Sequence, residues 1–244
     1  MNEQSNEPRM MEDPDAPPPP QGALPVWIKV FSKPGEQTFL EIISHPDAVA
    51  KNAYIWVFIA GTLSGLVSSL TQFAVGVAGV RQLSPELGEL MPTGFLGSMG
   101  LLGAICGAPL AGLMSVIGFA ISIAIIHWAA RFFGGQGSFD KLAYSMGAVV
   151  APFSIFSALL FPFSAIPYAA FCTLPVLLAG SIYVIYLEVA AVKAVYRFSW
   201  LESAGALFLP TILLVCLCAL VAVVLISLLG ASFNEVIQQI QQGL

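Results

Sequence analysis

The sequence predicts an all-α polytopic membrane protein: a five-helix transmembrane bundle with short amphipathic helices near each terminus. Three observations carry that expectation. Of 244 residues, 57% are hydrophobic and only 9% charged, whereas a soluble domain is about 25% charged and needs that surface to face water. Five apolar blocks (54–80, 101–127, 142–161, 167–192 and 204–229) each reach the roughly 20 residues that cross a hydrocarbon core. Within these blocks Glu188 is the single residue expected to carry a full charge. Backbone groups in lipid must pair internally, so such blocks are helices. The polar–apolar alternation of a transmembrane barrel is missing.

In chain order, residues 1–23 form an acidic, proline-rich tail with Pro17 to Pro20 at its centre. Its apolar content is too low to offset the entropy of ordering it, which predicts disorder. It is no cleavable signal peptide, because a basic stretch followed by an apolar core is lacking. Residues 24–51 change character. Trp27, Ile28 and Phe31 precede a Lys33-Pro34-Gly35 break, and Phe39, Leu40, Ile42 and Ile43 then recur at helical spacing. Two short amphipathic helices joined by a Pro-Gly turn fit this pattern. They would either lie in the membrane interface or dock onto the bundle.

Residues 52–230 hold the five spans. The segment 81–100 between spans one and two reads as an external loop. The connection 162–166 is short enough to force spans three and four into an antiparallel hairpin. Beyond span five, Ser232-Phe233-Asn234-Glu235 resembles a capping box. Phe233, Val236, Ile237 and Ile240 make one apolar stripe, predicting a short external amphipathic helix over 231–244.

Orientation follows from basic residues. Arg9, Lys29, Lys33, Lys51, Arg131, Lys141, Lys193 and Arg197, eight of the 9 Lys and Arg, fall on one side of a five-span topology, and Arg81 alone falls on the other. The positive-inside rule then puts the N-terminus in the cytoplasm and the C-terminus outside. Trp56, Trp128 and Trp200 fall at the cytoplasmic ends of spans one, two and five, where indole rings favour the headgroup zone.

Several functions find little support. The net charge of −5 is concentrated, with six of 14 acids in the first 36 residues, and a basic nucleic-acid footprint is absent. Cys106, Cys172, Cys216 and Cys218 sit in apolar runs and read as small buried apolar residues. Cys216 and Cys218 point about 200° apart on a helix and cannot grip one metal. No cofactor is implied: a His/Asp/Glu cluster and a P-loop are both lacking. His127 and Ser64 could be cast as base and nucleophile of an intramembrane hydrolase. Gly61-Thr62-Leu63-Ser64-Gly65 does not give the G-x-S-G spacing of the rhomboid-like enzymes, and His127 lies at the membrane edge beside Trp128.

Other residues invite a role in packing or transport. Gly61 and Gly65, Gly103 and Gly107, and Ala108 and Gly112 are small-xxx-small pairs, which let helix backbones approach closely within the protein or in an oligomer. Pro109, Pro152 and Pro175 interrupt spans two, three and four and favour kinks. Paired broken helices would suggest a transporter, but five spans do not divide into equal halves. Glu188 is the candidate intramembrane polar site. A carboxylate at mid-bilayer costs about 2.5–3.5 kcal/mol, yet Glu188 lies about one turn inside the predicted cytoplasmic end of span four. It can snorkel, link helices, or bind a proton or cation.

The loop after span two carries a resemblance. Gly134-Gly135-Gln136-Gly137-Ser138-Phe139 resembles the short cytoplasmic loop of the Yip domain family. The lead-in of Trp27, Phe31, Lys33-Pro34-Gly35, Phe39, Ile42 and Pro46 is similar to that of prokaryotic members. Tyr186-Leu187 with Ala190, Lys193 and Ser199 is similar to the end of the family's fourth span. The resemblance covers about residues 24–230 and implies five spans with a cytoplasmic N-terminus, here in a bacterial cytoplasmic membrane. Eukaryotic relatives are associated with Rab-type GTPases and vesicle traffic. Their acidic Asp-Leu-Tyr-Gly-Pro motif has no counterpart in this sequence, so that role does not carry over.

The expected function is a non-enzymatic membrane scaffold or adaptor. Its partners are the lipid bilayer and, through residues 24–51, other membrane or cytoplasmic proteins, with a homo-oligomer compatible. The competing reading is a small oligomeric transporter or channel built around Glu188.

Overall fold

The computed structural model describes residues 22–83, 93–164 and 166–213, together with 215, 216, 219, 220 and 223. Every regular element among them is helical. α1 (Ala23–Ser32) and α2 (Glu36–Ser44) precede the long helices α3 (Ala50–Leu83), α4 (Thr93–Phe132), α5 (Phe139–Ser164) and α6 (Pro167–Tyr196). α7 (Trp200–Leu213) follows. Four of these are long and apolar enough to cross a membrane: Ala50–Val75, Leu102–Phe132, Phe139–Ser164 and Tyr168–Tyr196. α7 opens the fifth apolar block, and residues 215, 216, 219, 220 and 223 are also helical. The rest of that block, the helix expected over 231–244 and nearly all of the tail 1–23 lie outside the described residues, as does Cys218.

α3 is the hub. It packs along α4 on one side and α5 on the other, and α5 in turn packs along α6. Every residue from Leu142 to Val149 in the first half of α5 is buried. The lead-in is docked rather than lying apart, for α1 and α2 both contact α5, and α2 also contacts α6. α1 stops before the Lys33-Pro34 pair because proline disfavours the helical conformation in the residue before it. The Lys33 N–H closes the last turn on the Lys29 carbonyl. On α1, Val26 and Val30 share one buried face; on α2, Phe39, Ile42 and Ile43 do so. These spacings of three and four residues are what a single helical face requires. Two ion pairs fix the arrangement: Lys29 to Glu41 at 2.5 Å between α1 and α2, and Lys193 of α6 to Glu36 at 2.6 Å. The Tyr183 hydroxyl on α6 donates to the Phe31 carbonyl at 2.8 Å.

Several expectations are corrected. α3 runs on to Leu83 and α4 begins at Thr93, so about half of the external loop expected over 81–100 is helical. No proline or charge falls between Thr93 and Pro109, and nothing there stops the hydrogen-bond ladder. α5 continues through Pro162 to Ser164, which shortens the turn expected over 162–166. A proline so near a helix end forfeits little of the ladder. Pro109, Pro152 and Pro175 lie inside α4, α5 and α6, each of which continues past its proline, as a kinked helix does.

Trp56 is a core residue, 8% exposed, with its ring against Trp27 and Tyr144 at centroid distances of 6.0 and 5.0 Å. It does not face a headgroup zone because the docked α1 covers it. Cys106, Cys172 and Cys216 are exposed, not buried. An apolar residue on a span needs no protein cover, because the surrounding lipid is itself apolar. The same reasoning accounts for the exposure of Leu102, Ile121, Phe171 and Leu201.

Candidate functional site

Two regions gather the polar chemistry of this chain. The first is the end of the bundle where the glycine loop meets the last turn of α6. Gly134 adopts φ +86°, a left-handed conformation that costs an L side chain energy and costs glycine none. Gly135 and Gly137 are required for a different reason, close approach. A Cβ at Gly135 would lie 2.6 Å from both the Phe198 and Tyr196 rings, and one at Gly137 would lie 2.8 Å from the Val195 carbonyl oxygen. The Ser138 hydroxyl accepts from the Lys141 N–H at 3.4 Å in the first turn of α5. Phe139 sets its ring edge-on to His127, 5.6 Å between centroids.

Sequence reasoning missed several contacts here, and with them Tyr196, Asp140 and Glu202. A hydrogen bond of 2.5 Å joins His127 Nδ1 and the Tyr196 hydroxyl, tying α4 to α6. Asp140 accepts from the Ala50 N–H at 3.3 Å and so satisfies a free donor at the start of α3. α6 ends with Arg197 in the left-handed region at φ 58°. A capping box then starts α7: the Ser199 N–H donates to the Glu202 carboxylate at 2.9 Å, and the Glu202 N–H to Ser199 Oγ at 3.4 Å. Ser199-Trp200-Leu201-Glu202 carried that signal in the sequence. The His127–Tyr196 bond is expected to contribute about 0.5–1.5 kcal/mol. A double-mutant cycle of Tyr196→Phe with His127→Phe, read by denaturant unfolding in detergent, should return a coupling of that size. Zero coupling would mean the two helices are held by other contacts.

The packing glycines divide. Gly61, Gly65 and Gly112 lie in the α3–α4 contact. A Cβ at Gly61 would meet Ser115 Oγ at 2.5 Å, one at Gly65 the Ala111 Cβ at 2.5 Å, and one at Gly112 the Thr62 hydroxyl and, at 2.9 Å, the Phe58 carbonyl. Gly103 and Gly107 are not brought into this contact, and a Cβ at either meets nothing within 4 Å. They point to another side of α4 than Ala108 and Gly112, which are buried. Gly147, not singled out from sequence, approaches α3, where its Cβ would lie 2.7 Å from that of Ala53. Gly147 and Ala151 are a small-xxx-small pair of the same kind.

The second region surrounds Glu188. It lines a cavity of about 900 Å³ whose walls come from all five helices α3 to α7. Most of the lining is aliphatic or aromatic, and Ser64, Ser115, Ser122, Ser154 and Thr211 add hydroxyls. Lys193, near Glu188 in sequence, does not pair with it. Lys193 is engaged by Glu36 and lies 4.9 Å from the centroid of the Trp200 ring. Among the described residues the Glu188 carboxylate accepts no hydrogen bond and meets no cation. No group of three His, Cys, Asp or Glu side chains able to hold a metal ion occurs among the described residues.

A family model described as the Yip1 domain matches residues 28–223, from the middle of α1 through the described part of the fifth apolar block. No curated protein and no solved structure matches the chain.

Proposed function

The chain belongs to the Yip1 domain family, and from that premise we propose that this multi-pass membrane protein is a non-enzymatic scaffold or adaptor. It presents α1 and α2 to partner proteins on the cytoplasmic side of a bacterial inner membrane. The observation that carries this reading is the docked lead-in. Its inner face is buried and ion-paired to the bundle, while Leu24 and Ile28, 65% and 64% exposed, stay uncovered. Leu24 and Ile28 lie one turn apart on one side of α1, and adjoining exposed apolar residues are the kind of surface that protein partners or a membrane cover. The non-enzymatic part draws support from how the reactive groups are spent. His127 is committed to Tyr196, and Ser64 donates to the Ser154 carbonyl at 3.1 Å.

Crosslinking in native membranes tests the adaptor reading. Leu24→Ser with Ile28→Ser leaves the buried face intact and should abolish specific crosslinks to other proteins. If the crosslinks are the same with and without the two changes, or join only copies of this chain through its spans, the adaptor reading fails.

Orientation is supported by the way the fold gathers charge. Lys29 lies on α1 and Lys33 in the link to α2, while Lys51, Arg131, Lys141, Lys193 and Arg197 lie at the bundle end that these two helices cover. A reporter active only in the cytoplasm is expected to give signal when fused after Lys51 and none after Leu244. The opposite pattern would invert the topology.

A further inference from the structure

We propose that the cavity around Glu188 binds the primary ammonium group of an amphiphile, with Glu188 as its counter-ion and neighbouring serine oxygens as further acceptors. The cavity takes its walls from α3 to α7 and none from α1 or α2, so its ligand and the adaptor surface are separate matters. A carboxylate removed from bulk water needs donors or positive charge to offset its lost hydration, and among the described residues Glu188 has neither.

The four serine hydroxyls around it do not supply donors. Each serine has one O–H, and each is already used. Ser64 donates to the Ser154 carbonyl, Ser115 to Ala111, Ser122 to Gly118 and Ser154 to Val150, at 2.8 to 3.1 Å. What these four oxygens still offer the cavity is lone pairs. Only Thr211 keeps an uncommitted hydroxyl proton among the described residues. A site rich in acceptors, carrying one formal negative charge, selects a ligand that brings both N–H donors and positive charge. A primary ammonium has three such donors and one charge.

Size and access define the rest of the ligand. About 900 Å³ lies in the range of roughly 300–1,000 Å³ that holds whole small molecules, far more than a bare cation needs. The apolar lining, with Phe119, Met146 and Leu207 among it, calls for a hydrocarbon body. Ile125, Trp128, Phe208 and Leu213 belong to the lining and are also exposed on the outer surface, so the cavity opens sideways between α4 and α7. A ligand would enter from the plane of the membrane. Two sources share this chemistry: an aminolipid of the bilayer, and a lipophilic amine dissolved in it.

The test uses the full chain in phosphatidylcholine nanodiscs, a host lipid without N–H donors. A fluorescent dodecylamine is displaced by dodecylamine, dodecyltrimethylammonium or dodecanol, with protein-free discs as the correction for partitioning. Dodecylamine should compete about tenfold or more tightly than the other two, since one lacks donors and the other lacks charge. Glu188→Gln should remove that preference. Equal competition by all three, or a preference that survives Glu188→Gln, overturns the proposal. The wild-type series decides by itself should the variant not fold. Adding phosphatidylethanolamine to the discs separates the sources. Displacement of the probe identifies a bilayer aminolipid, and an unaltered amine preference identifies a dissolved lipophilic amine.

Discussion

Replacing Phe39 with alanine is expected to release α1 and α2 from the bundle while the spans stay folded. Phe39 is fully buried at the centre of the only apolar face α2 has. Phe→Ala changes in cores cost about 3–5 kcal/mol. Neither helix can absorb that loss: α1 has 10 residues and α2 has 9, and isolated helices below about 12–15 residues are marginal in water. Each factor of ten in a population corresponds to about 1.4 kcal/mol, so the undocked fraction should rise a hundredfold or more. Amide hydrogen exchange across residues 36–44 measures this directly. Faster exchange there, with α5 still protected, is the expected result. Unchanged exchange would mean that the ion pairs and the Tyr183 hydrogen bond hold the lead-in without its apolar contact.

Gly112→Leu is expected to be the most damaging change within the spans, and Gly107→Leu nearly silent. At Gly112 the first added carbon already collides with a backbone carbonyl of α3, and backbone cannot move aside as a side chain can. Overpacking costs about 1–3 kcal/mol and occasionally more, and a clash with backbone belongs at the upper end. Gly107 sits on the same helix with nothing within 4 Å of its added carbon, so a change within about 0.5 kcal/mol is expected. Thermal unfolding of both variants in the same detergent compares them. If Gly107→Leu proves as harmful as Gly112→Leu, that side of α4 is covered in the assembled protein, and a second copy of the chain is the first candidate to look for by crosslinking.

What was legible in the sequence depended on distance along the chain. The spans could be read because unbroken apolar runs determine helices locally once water is absent. The buried faces of α1 and α2 could be read from residues three and four apart. For Gly134, Gly135 and Gly137 the motif was visible and its reasons were not, because two of the three glycines answer to Val195 and Tyr196 at the end of α6 and to Phe198 just beyond it. His127 with Tyr196 lies 69 residues apart, and Asp140 with Ala50 lies 90. No local pattern announces such pairs. Trp56 and Cys106, Cys172 and Cys216 were misplaced for a shared reason. Hydrophobicity in a membrane protein does not distinguish a residue facing lipid from one facing protein, so only the packed structure sorts them. Glu188 was conspicuous as a lone charge, whereas its cavity, assembled from five helices, was not.

The hydrogen bond from Tyr183 to the Phe31 carbonyl spans 152 residues, and this has a consequence for biogenesis. The ribosome makes the lead-in well before the surface that receives it, on α5 and α6. Until those helices are made, Val26, Val30, Phe39 and Ile42 lack the surface that covers them. An amphipathic segment beside a membrane can rest its apolar face on the bilayer surface, which offers these residues an apolar environment until the receiving helices arrive. Order of synthesis and order of assembly therefore run in opposite directions, and the membrane serves as the waiting room between them.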